Sequence, residues 1–121
     1  MARSDDLNTT LKTLQRESPD IEASALISED GLMIASALPQ HIEEMRVAGM
    51  SATLLSLGSR ATSELDLGKL GQVLIRGEKG YAVMLKATEG TMLLVLTTPD
   101  AKLGLIFLDM NRAVAEIKKI L

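Results

Sequence analysis

Val47-Ala48-Gly49-Met50-Ser51-Ala52-Thr53-Leu54-Leu55-Ser56-Leu57-Gly58-Ser59 is a run of thirteen residues without a charge, bounded by Arg46 and Arg60. It lies inside a segment from His41 to Asp66 that reads as one long helix. At about 100° per residue, Val47, Met50, Leu54, Leu57, Ala61 and Leu65 fall on one stripe, the spacing of a helix lying on a core. The opposite side carries Met45, Ala48, Gly49, Ala52, Ser56, Ser59 and Ser63, nearly all of them small. A helix facing water places Lys and Glu on such a side, so this second side is expected to be covered too. Gly49 and Gly58 each cost roughly 1 kcal/mol of helix propensity relative to Ala. A close contact would offset that cost, and the natural candidate is the same helix of a second copy across a two-fold axis.

At 121 residues the chain has the length of one domain, 1–121, large enough to bury roughly two-thirds of its unfolded surface. Hydrophobic residues make up 46% of it but aromatic ones only 2%, a single Tyr81 and a single Phe107, so the core must be aliphatic. Nucleic-acid and sugar binders use exposed rings for stacking, and this chain has almost none to offer. A net charge of −3 gives no electrostatic reason to hold a phosphate backbone or an anionic membrane. Acidic residues dominate up to Asp66 and basic ones after it, a polarity that a solvated surface explains as well as a partner does. There is no cysteine for a disulfide or a thiolate metal site. The start of the chain does not read as a signal peptide, and no uncharged run reaches the roughly 18 residues of a membrane span. No membrane insertion and a cytoplasmic location are the resulting expectations.

Ser4 or Asp5 can cap a first helix to about Glu17, with Leu7, Leu11 and Leu14 on one side, ended by Ser18-Pro19-Asp20. Ile21, Ala23, Ala25 and Ile27 alternate with polar residues, the period of a strand, and Glu29-Asp30-Gly31 supplies a tight hairpin turn into a second strand, Leu32 to Ala37. After the long helix, with Glu43 and Glu44 in its first turn and Gly68 as its stop, three strands follow. They span Gln72 to Arg76, Tyr81 to Ala87 and Thr91 to Thr98, and the short turns between them make antiparallel neighbours. The last two are apolar on both faces, so helices should cover both sides of the sheet. Thr98-Pro99-Asp100 is expected to start the final helix, whose stripe is Leu103, Ile106, Phe107, Met110, Val114, Ile117 and Leu121. The class is therefore α/β in the α+β sense: one antiparallel five-stranded sheet with helices on both faces, in the order α-β-β-α-β-β-β-α.

Catalytic patterns are missing. Gly68-Lys69 lacks the upstream glycine and the downstream hydroxyl of a P-loop. Gly49-Met50-Ser51-Ala52-Thr53 lacks the last glycine of a nucleophile elbow and lies in a helix, where the strained turn cannot form. His41 is the only histidine and stands beside Pro39 at a helix start, as a capping or surface residue does. Glu43-Glu44 and Asp5-Asp6 are helix-end charges rather than an acid–base pair. No catalytic, cofactor-binding or metal-binding residue is expected.

Ala25-Leu26-Ile27-Ser28-Glu29-Asp30-Gly31-Leu32, the Ala/Ser-rich central helix, Leu70-Gly71-Gln72-Val73-Leu74-Ile75 leading to Gly80-Tyr81, and Ala101-Lys102-Leu103-Gly104-Leu105-Ile106 running into Met110 together carry a resemblance across essentially the whole chain. The chain resembles Roadblock-domain proteins, the family of the dynein light chain Roadblock and of bacterial and archaeal MglB-type regulators of small Ras-like GTPases. The resemblance implies a Roadblock/profilin-like sandwich and a homodimer in which central helices pair and third strands meet edge to edge. The expected dimer contacts are Met45, Ala48, Gly49, Ala52, Ser56, Ser59 and Ser63 on the helix, with Val73 and Ile75 on the third strand. It further implies a platform for a GTP-loaded Ras-like GTPase whose hydrolysis is stimulated through the GTPase's own residues, and Arg46 and Arg60 are the arginines beside the small face that could reach it. Two other readings stay open: a dimeric adaptor without effect on hydrolysis, and a small-ligand sensor, for which the sequence offers no convergent polar groups.

Overall fold

The alternation between Ile21 and Ile27 becomes strand β1, Ile21–Ser28, and the chain reverses at Gly31 into β2, Met33–Ala37. Gly31 has φ +89°, a left-handed conformation that glycine adopts without a Cβ penalty, and its amide donates to the Ser28 carbonyl at 3.0 Å. The computed structural model describes residues 2–121. The remaining strands are β3, Gln72–Gly77, β4, Gly80–Thr88, and β5, Thr91–Thr97, and the helices are α1, Ala2–Glu17, α2, Glu44–Glu64, and α3, Leu103–Ile120. All neighbouring strands are antiparallel, in the spatial order β2-β1-β5-β4-β3, which leaves β2 and β3 at the margins.

Period two along each strand divides the core between the two faces. On one face Leu26, Val83, Leu93 and Val95 meet Leu7, Leu11 and Leu14 of α1 and Ile106, Met110 and Ile117 of α3. On the other, Ala25, Ile27, Met84, Met92 and Leu94 meet Val47 and Ala48 of α2, with Leu54 and Leu55 packed at the margin. Helices do cover both faces, and the order of elements is the one read from the sequence.

Three details differ from the expectation. Helix α1 begins at Ala2, ahead of the Ser4 or Asp5 cap. Helix α3 begins at Leu103, not at Thr98-Pro99-Asp100, because the Ala101 amide closes a turn onto the Thr98 carbonyl at 3.3 Å and Ala101 is buried there. Helix α2 ends at Glu64 with Leu65 as its cap, ahead of Gly68. Asp66 takes φ 59°, its amide donates to the Ser63 carbonyl and the Leu67 amide to the Thr62 carbonyl, the paired bonds of a Schellman cap.

The larger correction concerns the orientation of α2. Val47 and Ser51 are buried as a core stripe requires, but Met50, Leu57 and Leu65 are 55%, 61% and 67% exposed, and Ala61 is exposed as well. Ala48, expected on the outer side, is 2% exposed in the second core. The helix is turned by roughly a quarter of a revolution from the expected setting, at about 100° per residue. Close approach to its own sheet is the reason. A Cβ at Gly31 would lie 3.4 Å from the Ala52 Cβ, and one at Gly58 would lie 3.3 Å from Leu70 and 3.6 Å from Val73. Ala48, Ala52 and Gly58 serve the contact within the protomer, and Met50 and Leu57 are left outside.

Candidate interaction surface

Because Val47, Ala48, Ser51 and Leu55 are drawn onto the sheet, the outer surface of α2 carries what remains: Met45, Arg46, Gly49, Met50, Thr53, Ser56, Leu57 and Arg60, all exposed. Met45 is 83% exposed. The apolar exposure continues past the helix at Leu65 and Leu67 and onto the marginal strand β3 at Ile75, which shares the face of Val73. Strand β3 pairs only with β4, so the backbone groups on its other side are free to bond another strand. It has no proline, and Arg76 is its one charge, so little along it discourages such pairing. Contiguous apolar surface beside an open sheet edge marks a place where protein surfaces meet.

The residues expected to form the dimer contact divide in three. Met45, Gly49, Ser56, Ser59, Ser63 and Ile75 are exposed and available to a partner. Ala48 is buried inside the protomer and unavailable. Ala52 and Val73 are half-buried, the first against Gly31 and the second beside Gly58. Met50 and Leu57 were assigned to the core from their size and spacing, yet they are the largest apolar side chains exposed on the middle of the helix. The signal that could have placed them is the stripe Val47, Ala48, Ser51, Leu55 and Gly58, which is equally periodic and suits a helix lying close on a sheet.

Electrostatics on this surface are light. The Arg60 guanidinium donates to Glu64 Oε2 at 3.3 Å, one turn along, and both side chains are mostly in water, so the pair adds little stability. Arg46 has no ion pair among the described residues. His41 is exposed, and among the described residues no cluster of three or more metal-ligating side chains occurs. Nor is any helix among them long and apolar enough to cross a membrane.

Two of the concavities among the described residues lie away from this surface and carry charged side chains. One, of about 240 Å³, runs between α1 and α3 over Thr13, Leu14 and Ala113, and at its rim Arg112 reaches Asp109 at 3.2 Å and Glu17 at 3.6 Å. The other, of about 250 Å³, lies where Leu55 and Ser59 meet the β4–β5 turn. There Lys86 Nζ donates to both oxygens of Glu89 at 2.8 and 3.0 Å, and that bond, with the attraction of the same ammonium, holds the Glu89 carboxyl below the usual glutamate range. Neither assembles a nucleophile with a base.

An apolar helix face thus lies next to an unpaired strand edge. The profile of the Roadblock/LC7 domain matches residues 7–97, and the chain belongs to that family. An uncharacterized protein of Methanocaldococcus jannaschii, MJ1340, is 39% identical over 98 residues, covering 81% of this chain and 85% of the relative. Among solved structures, MglB of Myxococcus xanthus superposes with a TM-score of 0.87 at 20% identity, over 96% of this chain and 87% of that one. A Roadblock/LC7 domain from Streptomyces avermitilis superposes with a TM-score of 0.86 at 23% identity, over 93% and 94%.

Proposed function

We propose that the chain is a homodimeric, non-enzymatic regulator that binds a small Ras-like GTPase and stimulates its GTP hydrolysis by ordering the GTPase's own catalytic residues. The observation that carries this reading is the apolar stretch of the outer face of α2 between Arg46 and Arg60, beside the open β3 edge, in a chain of the Roadblock/LC7 family. Two copies joined through these elements would hide Met50, Leu57 and Ile75 and leave a continuous platform on the helix side. The fold likeness to MglB supports a GTPase as the visitor. The setting proposed for this activity is the cytoplasm.

Phosphate release from a Ras-like GTPase encoded beside this chain, measured with and without the protein, is the direct test. A rise in turnover together with binding that prefers the GTP state supports the proposal. Equal binding to GDP and GTP forms with unchanged turnover leaves a dimeric adaptor, and absence of binding in both states rejects the partner class.

A further inference from the structure

We infer that the hollow between the C-terminal half of α2 and the β4–β5 turn is a binding site for a free amino acid with an aliphatic side chain, held by Lys69 at its carboxylate and by Glu29 at its ammonium. The inference goes beyond the GTPase reading and does not depend on it.

Segments far apart in the chain build this hollow. The β1–β2 turn brings Glu29, α2 brings Leu55, the α2–β3 loop brings Lys69 and Leu70, and β5 brings Met92. The Glu29 amide donates to the Gly90 carbonyl at 2.9 Å, which ties the two turns side by side. Gly90 takes φ +87°, and a Cβ there would stand 4.0 Å from Glu29 Oε1, so the carboxylate lies beside backbone that carries no side chain. Leu70 reaches in because Gly58 leaves it room: a Cβ at Gly58 would lie 3.3 Å from it. Leu55, Leu70 and Met92 thus give the hollow a hydrocarbon floor beneath a charged rim.

The rim selects the ligand. Lys86 and Glu89 neutralise each other across 2.8 Å. Lys69 and Glu29 line the same space and form no ion pair among the described residues. The Lys69 charge reaches Glu89, where it adds to the larger effects of the Lys86 hydrogen bond and charge. Two ammonium groups and two carboxylates leave the rim neutral as a whole, so a simple anion loses to the glutamates what it gains from the lysines, and a simple cation the reverse. A molecule carrying both signs satisfies Lys69 and Glu29 together, and a short aliphatic group on it covers the floor. At about 250 Å³ the space falls below the range of drug-sized ligands, which leaves out a nucleotide and suits a single amino acid. Sequence alone offers no such convergence, because the polar groups stand on turns that only the assembled sheet brings together.

Amide NMR spectra of the full chain, titrated with L-leucine, read both the affinity and its place. Shifts at the Lys69, Gly90 and Thr91 amides are expected to saturate with a dissociation constant of about 1 mM or tighter. Leucinamide lacks the carboxylate and isocaproate lacks the ammonium, and each should bind at least about tenfold more weakly. Glycine, without the aliphatic group, should lose about tenfold as well. Lys69→Gln and Glu29→Gln replace exposed side chains, and circular dichroism checks that both variants are folded. Lys69→Gln should no longer distinguish L-leucine from leucinamide, and Glu29→Gln should no longer distinguish it from isocaproate. Absence of shifts at those amides up to about 10 mM L-leucine, L-isoleucine or L-methionine overturns the site. Isocaproate or inorganic phosphate that binds as tightly as L-leucine, or variants that bind L-leucine like wild type, overturns the assignment of Lys69 and Glu29. None of these readouts depends on phosphate release from a GTPase, so the two proposals fail separately.

Discussion

Leu57→Glu separates the inner from the outer side of α2. Leu57 is 61% exposed, so the protomer loses little when it is replaced, and the expected change in monomer stability is within about 0.5 kcal/mol. Full burial of a leucine side chain stabilises by about 1.5–3 kcal/mol, and the exposed share of Leu57 accounts for about 1–2 of that. Both copies of a two-fold pair lose it, about 2–4 kcal/mol in all, which raises the dimer dissociation constant by roughly 30- to 700-fold. Sedimentation measures the association, and urea unfolding at concentrations below dissociation measures the protomer. Ala48→Glu is the counterpart: at 2% exposure it places an unpaired carboxylate in the second core, and a loss of about 3 kcal/mol or more in the protomer itself is expected. Ala52→Glu is a mixed probe, since its Cβ lies against the Gly31 turn. A Leu57→Glu protein that dimerises like wild type, or that unfolds as readily as Ala48→Glu, refutes the assignment of faces.

Gly80→Ala should destabilise the protein by more than about 2 kcal/mol, because the new Cβ would stand 2.0 Å from the Thr97 carbonyl oxygen, a backbone atom that cannot swing aside; an unchanged urea midpoint would contradict this. Asp66→Gly should stabilise by about 0.5–1 kcal/mol, since the Schellman cap holds Asp66 at φ 59° where a Cβ is unfavourable; a lower urea midpoint would show that the aspartate side chain itself supports the cap. Glu89 should titrate below the usual glutamate range, first through its hydrogen bond to Lys86 and then through the charge of that ammonium. Its folded pKa is the depressed one, so its contribution to stability is complete above the unfolded pKa and disappears as pH falls through the folded value. Lys86→Gln should move the Glu89 carboxyl midpoint upward in an NMR titration, and an unmoved midpoint would discard the assigned cause.

The order of the elements was legible because their signals are local. Glu29-Asp30-Gly31 makes the turn its residues favour, the segment from Ile21 to Ile27 forms a strand, though a register shift between Ile21 and Ala23 puts Ile21 in the first core and Ala25 and Ile27 in the second, and Ile106, Met110, Val114 and Ile117 of α3 are buried as their spacing requires. The start of α3 was misplaced by a tertiary effect: burying Ala101 draws Thr98-Pro99-Asp100 into a turn ahead of the helix. The candidate surface was half legible. That the middle of α2 presents an uncharged outer surface could be inferred from the lack of charge between Arg46 and Arg60, and Met45, Gly49 and Ser56 do face outward.

Which side of α2 meets the sheet could not be read from its sequence, for a physical reason. A helix with one large apolar stripe and one small stripe can bury either, since area removed from water favours the first and close backbone approach favours the second. Only the Gly31 turn, Leu70 and Val73, brought beneath the helix by residues distant in the chain, decide that Ala48, Ala52 and Gly58 go inward and Met50 and Leu57 outward. The sequence by itself determined the order of the elements and the absence of charge on the middle of α2. The rotation of that helix, and with it the identity of the exposed surface, was decided by the depth of the space that the assembled sheet left for it.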